Sequence, residues 1–444
     1  MTLIFLLLAS VGLIVYTTTK LHLHAFLALI LAALFFGLFS GMDLQVLVSS
    51  IQEGFGGVIG GVGIVIVAGV IIGTFLERSG GAAVIAVWVL ARVGARRVPL
   101  AMALVGYITA IPVFGDSAFV MLAPLNQALT LKAKLSLATT VMSLVIGLQV
   151  AHTMVPPTPG PIAAAGIIGA DLGLVLLIGL PVTLVVVLLG CFYAEKWAGR
   201  VYLDPVEGLI PPAQTDPKDA PGPAKAFMPI FVPLTLIVLR SLAELPSHPF
   251  GTGWAASTIG FVGSPLVALL LGVVLSFTLP KKFDTKMLSG TGWVGQAMVG
   301  GAVIILITGA GGAFGKVLQN SGIVDLIGNA LLGAGLGLWL PFLISAALRA
   351  SQGSATVAII TTASLLAPLA EPLGLATPVG KALMVLAIGA GAMVASHAND
   401  SMFWIVTQMS GMDVKTGYKL QTVLTTAVGV TAATLLWLIG LVVL

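Results

Sequence analysis

The sequence predicts an all-α polytopic membrane protein made of two inverted-topology repeats, each with about five transmembrane helices, one re-entrant hairpin and one broken helix. Three observations lead there. Of 444 residues, 58% are hydrophobic and only 8% are charged, and the mean hydropathy is +1.12, so the chain has too little polar surface to face water. Apolar stretches near the roughly 20 residues that a helical span needs recur along the chain between short polar breaks. Finally, local patterns return in the second half at one constant offset. Gly73, Leu76 and Ser79-Gly80 recur as Gly315, Leu318 and Ser321-Gly322, Ile146-Gly147 as Ile388-Gly389, and Gly169 and Asp171 as Gly411 and Asp413.

The first span is placed near 3–19; residues 3–15 lack a basic leader and a small-residue cleavage site, so they read as a retained helix and not a signal peptide. Spans follow near 24–40 and 57–76. The segment 81–97, short and flanked by Gly, is expected along the membrane surface. Between 98 and 130 the apolar run breaks at Ile111-Pro112-Val113-Phe114-Gly115-Asp116-Ser117, leaving arms of about 13 residues that are too short to cross. That predicts a re-entrant hairpin. The next stretch, 135–168, is interrupted by Ala151-His152-Thr153-Met154-Val155-Pro156-Pro157-Thr158-Pro159-Gly160-Pro161, where prolines remove donors and clash with the preceding turn. A span near 172–194 completes the first repeat, 1–202.

Residues 203–225 hold six prolines among charged side chains, which predicts an extended, solvent-exposed linker. The second repeat, 226–444, then follows the same order. It has spans near 226–243, 254–279 and 290–318, a surface segment at 323–337 and a hairpin at 338–369 broken at Arg349-Ala350-Ser351-Gln352-Gly353-Ser354. An interrupted span at 380–411, broken at Ser396-His397-Ala398-Asn399-Asp400-Ser401, and a last span at 418–444 complete ten.

Placing the N-terminus outside puts sixteen of the twenty Lys and Arg on the cytoplasmic side. This works only if each half has an odd number of spans, so the second half enters from the opposite face. Both termini are then periplasmic and the linker cytoplasmic. The formal charge of +4 is too small and scattered for a nucleic-acid partner. The single cysteine, Cys191, excludes an internal disulfide, and no Cys/His spacing suits a metal, so neither metal nor cofactor is expected.

Four broken elements, two from each half, could meet at the bilayer midplane, because non-helical backbone is tolerated at that depth only where protein or a wet cavity satisfies it. Half-helix N-termini would direct partial positive charge at an anion. Asp116 and Asp400 are the ionisable groups for proton coupling, since desolvation favours the neutral form of a carboxyl. Each has a plainer reading. Asp116 would sit at the headgroups if its hairpin were a pair of spans. Arg349 either meets substrate or forms a structural ion pair. His152 and His397 either fill helices or touch substrate or a proton, and positions such as Thr356 and Thr361 are more often helix-packing residues than ligands.

The segments Val113-Phe114-Gly115-Asp116-Ser117-Ala118-Phe119, 152–160, Gln352-Gly353-Ser354-Ala355-Thr356-Val357 and His397-Ala398-Asn399-Asp400-Ser401 with Phe403-Trp404 resemble the signature segments of the gluconate permease family, within the larger ion-transporter superfamily. The resemblance spans nearly the whole chain, with the motifs in family order. It implies proton-coupled uptake of gluconate or related hydroxy acids through the bacterial inner membrane. It also implies paired hairpins, an elevator-like movement and often a homodimer. One departure bears on which sugar acid is carried: many gluconate permeases have His after the two prolines, where this chain has Thr158.

The residues themselves suit such a cargo. Helix N-termini, with Arg349, would take the carboxylate; Ser117, Thr153, Thr158, Gln352, Ser354, Asn399 and Ser401 would address hydroxyls; His152, Gly353, Thr356 and His397 complete the expected site. A sodium-coupled anion symporter or a sodium/proton antiporter would also want midplane carboxylates, although an antiporter would not need so many hydroxyl and amide groups. An intramembrane enzyme would need a nucleophile beside a base, which Ser117 next to Asp116 and His152 could imitate.

Overall fold

The computed structural model describes residues 2–94, 97–205, 219–244, 249–323 and 336–444, and every regular element among them is helical. Arg96, most of the Pro-rich linker including Lys218, and all but the ends of the surface segment 323–337 lie outside the described residues.

The first half runs α1 (Thr2–Thr19), α2 (Ala25–Phe39), α3 (Leu44–Arg78), α4 (Gly81–Val93), α5 (Val98–Ala110), α6 (Gly115–Ala133), α7 (Leu137–Met154), α8 (Pro159–Ile168) and α9 (Leu172–Trp197). The second runs α10 (Pro223–Ala243), α11 (Trp254–Val262), α12 (Pro265–Ser276), α13 (Trp293–Asn320), α14 (Trp339–Gln352), α15 (Ala355–Leu366), α16 (Pro378–Ala392), α17 (Ser401–Met409), α18 (Val414–Gly417) and, after a π-helical turn, α19 (Val423–Val443).

By length and composition six helical stretches can each cross a membrane, or seven if α11 and α12 count as one bent span. The sequence expectation of ten spans is higher. The difference lies in helices that stop early: α1, α2 and α16 are 18, 15 and 15 residues long. The 254–279 span, expected to be continuous, bends by 64° between α11 and α12, where Pro265 at the first position of α12 has no N–H to continue the ladder.

Two long helices, α3 and α13, pack along each other. A Cβ placed on Gly54 would lie 2.4 Å from the Gly312 carbonyl oxygen, so the absence of side chains is what allows the backbones to approach. The centre of the molecule is α7–α8. Of its most apolar window 94% is buried, against 33% to 61% for the other five stretches of spanning length. Around it pack α5, α9 and α16, with α15 against α8 and α17 against α6.

All four expected breaks are present, with shifted edges. Arg349, Ala350 and Ser351 remain helical, and α14 ends only at Gly353, whose φ of +80° is a left-handed conformation that favours glycine. Ser354 then caps α15 by accepting the Val357 N–H. His152 and Thr153 likewise finish α7, and the interruption covers 155–158 with its paired prolines. The second unwound segment is longer than its polar cluster, spanning 393–400 and passing through Ala395 at φ 52°. Hydroxyls hold it open: Thr426 and Thr425 accept the amides of Ala395 and Ser396, and Thr422 donates to the Ser396 carbonyl.

Candidate functional site

The tips of the two hairpins, α5–α6 and α14–α15, and the second unwound segment enclose a cavity of about 530 Å³ against α7. Its first-half wall is Phe114, Gly115, Asp116, Ser117, Gln149 and His152, and its second-half wall is Arg349, the run from Gln352 to Thr356 and that from Asn399 to Met402. Three helix N-termini, those of α6, α15 and α17, open on it. Phe114 precedes α6 without offering a side-chain acceptor, so the first-turn amides there are available to a bound anion.

At the base of the cavity Arg349, 1% exposed, donates through Nη2 to Asp400 Oδ2. The same oxygen accepts from the Ser396 hydroxyl, which in turn accepts from Gln421 Nε2 at 2.9 Å. The other carboxylate oxygen, Oδ1, caps α17 by accepting the Met402 N–H at 3.1 Å. Asp400 is therefore fixed by a cation, a hydroxyl and a helix start together. Asp116 sits in the first turn of α6 and accepts from the Ser401 hydroxyl at 2.7 Å, a contact between halves 285 residues apart in sequence. Both carboxylates occupy the positive ends of helices.

Hairpin α14–α15 is moored to the unwound segment. The Ala350 carbonyl accepts from Asn399 Nδ2 at 2.8 Å and lies 2.9 Å from His397 Nε2. A Cβ at Gly353 would fall 1.9 Å from the Asn399 carbonyl oxygen, so this position is closed to other residues by space as well as by φ.

Of the expected site residues, Asp116, Ser117, His152, Arg349, Gln352, Gly353, Ser354, Thr356, Asn399, Asp400 and Ser401 share this wall. Three stand elsewhere. Thr153 returns its hydroxyl to the Gln149 carbonyl one turn back. Thr158 donates to the Val155 carbonyl beside a separate small cleft. His397 stacks on Tyr418 behind the cavity while meeting Ala350. Gln149 was not anticipated. It lies three residues before His152, 5% exposed, in the unbroken part of α7, and its Nε2 has no protein partner.

Gln149 belongs to a larger set. Arg349 Nε and Nη1, His152 Nδ1 and both amide atoms of Gln352 are also buried without partners. Buried polar atoms are nearly always satisfied, yet these six converge on one cavity from four side chains. Chemically the arrangement offers two unpartnered guanidinium nitrogens and the uncapped N-terminus of α6 to a carboxylate, with amides, hydroxyls and an imidazole to hydroxyl groups. Among the described residues no group of His, Cys, Asp and Glu has the geometry to hold a metal ion.

A family profile described as GntP family permease matches residues 1–442. The inner membrane permease YgbN of Escherichia coli K12 is 38% identical over 465 residues, covering 100% of this chain and 99% of the relative. The gluconate permease of Pseudomonas aeruginosa is 35% identical, with 98% and 97% covered. Among solved structures, MtrF of Neisseria gonorrhoeae shares the fold with a TM-score of 0.66 at 13% identity, covering 95% of this chain and 96% of that one.

The buried ion pair makes a specific energetic prediction. Arg349→Met or Asp400→Leu alone strands a buried charge, at a cost of about 3–5 kcal/mol, whereas the double variant removes both charges and should recover most of that loss. Melting curves of the purified variants in detergent check this. Additive losses in the double variant would show that the two side chains do not compensate each other.

Proposed function

The chain belongs to the GntP permease family, and on that premise we propose that it is a secondary transporter carrying gluconate or a closely related small hydroxy acid, together with protons, across the bacterial inner membrane. The observation that carries this reading is the set of six unpartnered polar atoms around the 530 Å³ cavity. Arg349, whose Nε and Nη1 have no protein partner, suits a carboxylate. Gln149, Gln352, His152, Ser354 and Ser401 suit a chain of hydroxyls.

Charge balance supports coupling to protons. With Arg349 cationic and Asp116 and Asp400 ionised, the protein's own groups already give the site one more negative charge than positive. Adding a carboxylate would deepen that excess in a desolvated setting, which is costly. When the substrate carboxylate engages the guanidinium, it competes with Asp400, and a proton on Asp400 or Asp116 restores the balance. Asp400 is placed to sense the substrate through Arg349, while Asp116, less buried, is the easier to reach from solvent.

The distribution of breaks favours an elevator-like movement with two inverted repeats. In this reading α3 and α13 belong to a static frame, and hairpins α5–α6 and α14–α15 move with the broken helices α7–α8 and α16–α17. Glycines smooth the boundary: a Cβ at Gly69 or Gly73 of α3 would strike the carbonyl oxygens of Pro157 or Pro112 at 2.8 and 2.1 Å, and one at Gly311 or Gly315 of α13 would strike Ser364 at 2.3 and 3.0 Å. The offset that relates the halves carries Gly69 onto Gly311 and Gly73 onto Gly315, so equivalent positions of both repeats face the moving elements. The count of basic residues supports termini outside and the linker inside.

Three experiments test these points. Proteoliposomes should accumulate labelled gluconate when a pH gradient is imposed, and Asp400→Asn or Asp116→Asn should abolish accumulation while leaving exchange. Accumulation that follows a sodium gradient and ignores pH would replace the proton as the coupling ion. For movement, a Cβ at Gly166 of α8 would lie 3.2 Å from Val62 Cβ of α3, close enough for a disulfide. Val62→Cys with Gly166→Cys in a Cys191→Ala chain should bind gluconate but stop transporting it once oxidised. Undiminished transport by the verified crosslinked protein argues against a unit sliding past the frame. For orientation, Lys218→Cys in the same background should resist impermeant thiol reagents in intact cells, and rapid labelling would reverse the topology.

A further inference from the structure

A second cavity, of about 620 Å³, opens between frame and moving unit, within the size range of small-molecule pockets. None of its lining residues lines the transport site. Helix α15 and the turn after it give the separation: Ala355 borders the transport site and Ala367 borders this cavity, about 18 Å farther along a helix. In the orientation proposed above it faces the periplasm.

Glycines shape the space. Of the lining glycines Gly57 of α3 has open space where a side chain would stand, Gly54, Gly312 and Gly315 bring the surrounding helices close, and the charged groups stand around the gap. The frame contributes Glu53 and Lys316, and the moving unit contributes Glu371 and Lys381. Each wall thus carries one charge of each sign, the lysines half-buried and the glutamates exposed. Opposite charges so arranged would ordinarily pair across a narrow cleft. Among the described residues they do not, since the three ion pairs present all lie elsewhere. Lys316 reaches only the Gln319 amide oxygen, at 3.3 Å.

Two ammonium groups, two carboxylates and an amide around one cavity complement a molecule that is both anionic and rich in hydroxyls. Ammonium groups take a carboxylate, and carboxylates and the amide accept from hydroxyls. The mixture of cationic donors and acceptors favours a ligand that carries both an anionic group and hydroxyls over a bare inorganic anion or a metal cation. We propose that this cavity is a second site for a small polyhydroxy carboxylate, held between Lys316 of the frame and Lys381 of the moving unit. A ligand there bridges the two bodies and is lost when they slide apart, so it stabilises the present arrangement and opposes movement. High substrate concentration on this face therefore slows transport. The inference rests on the functional reading above for the class of cargo and for the division into frame and unit.

Equilibrium binding of radiolabelled gluconate to the purified full chain tests it, alongside uptake measured over a wide range of external gluconate. The wild type should show two classes of site and a fall in uptake at the highest concentrations. Lys316→Gln with Lys381→Gln should lose the weaker class, keep the tighter one and transport without that fall. Arg349→Gln should lose the tighter class and keep the weaker. If Arg349→Gln does not fold, the lysine variant still decides the matter. Uptake by the wild type with a single class of site, unchanged in the lysine variant, overturns the second site alone. Neither uptake nor binding of gluconate by the wild type overturns the functional reading together with it.

Discussion

A guanidinium that is 1% exposed in an apolar interior cannot stand alone, and the way Arg349 is satisfied organises much of what surrounds it. Its partner Asp400 lies 51 residues later in a segment that must leave the helix to meet it. That segment is kept unwound by the hydroxyls of Thr422, Thr425 and Thr426, and Asp400 is held by Ser396, itself bonded to Gln421. Hairpin α14–α15 is pinned in turn by the Ala350 carbonyl. The pair needs the break in α16–α17, and the break needs the pair and its hydroxyls.

What the pair leaves unsatisfied is the basis of the proposed function. Nη2 of the guanidinium is committed to Asp400, while Nε and Nη1 are buried without a protein partner in a residue that lines the cavity. A substrate carboxylate arriving there finds a cation already neutralised, so binding rearranges charge where rearrangement is expensive. That is a physical route by which an anion and a proton come to depend on one another without touching. The second carboxylate, Asp116, is tied through Ser401 to the helix that Asp400 caps, so the two acids share one element.

Much of this was legible in the sequence because it violates local rules. Prolines, Gly353 and polar clusters inside apolar runs mark all four breaks, and eleven of the expected residues stand on one wall. Gln149 was not legible: it sits in the regular part of α7, where a lone amide reads like any packing residue, and its only sign was lying one turn before His152. Thr158 and Thr153 were legible as polar but not as spent, since backbone carbonyls of their own segments take their hydroxyls. Ten spans were read from apolar runs and six or seven helical stretches have spanning length, because apolar length alone does not show where helices end. Lys316 and Lys381 were not singled out in the sequence, since only the fold brings them to one cavity.

In the proposed mechanism a substrate carboxylate and a proton enter the site together because both bear on Arg349 and Asp400. Calorimetric titration of gluconate into the purified protein, repeated in buffers of different ionisation enthalpy at one pH, measures it directly. Heats that vary with the buffer in the sense of net proton uptake, and that lose this dependence in Asp400→Asn, are what the account predicts. Saturable gluconate binding with the same heat in every buffer would mean that no proton accompanies the substrate, and would contradict it.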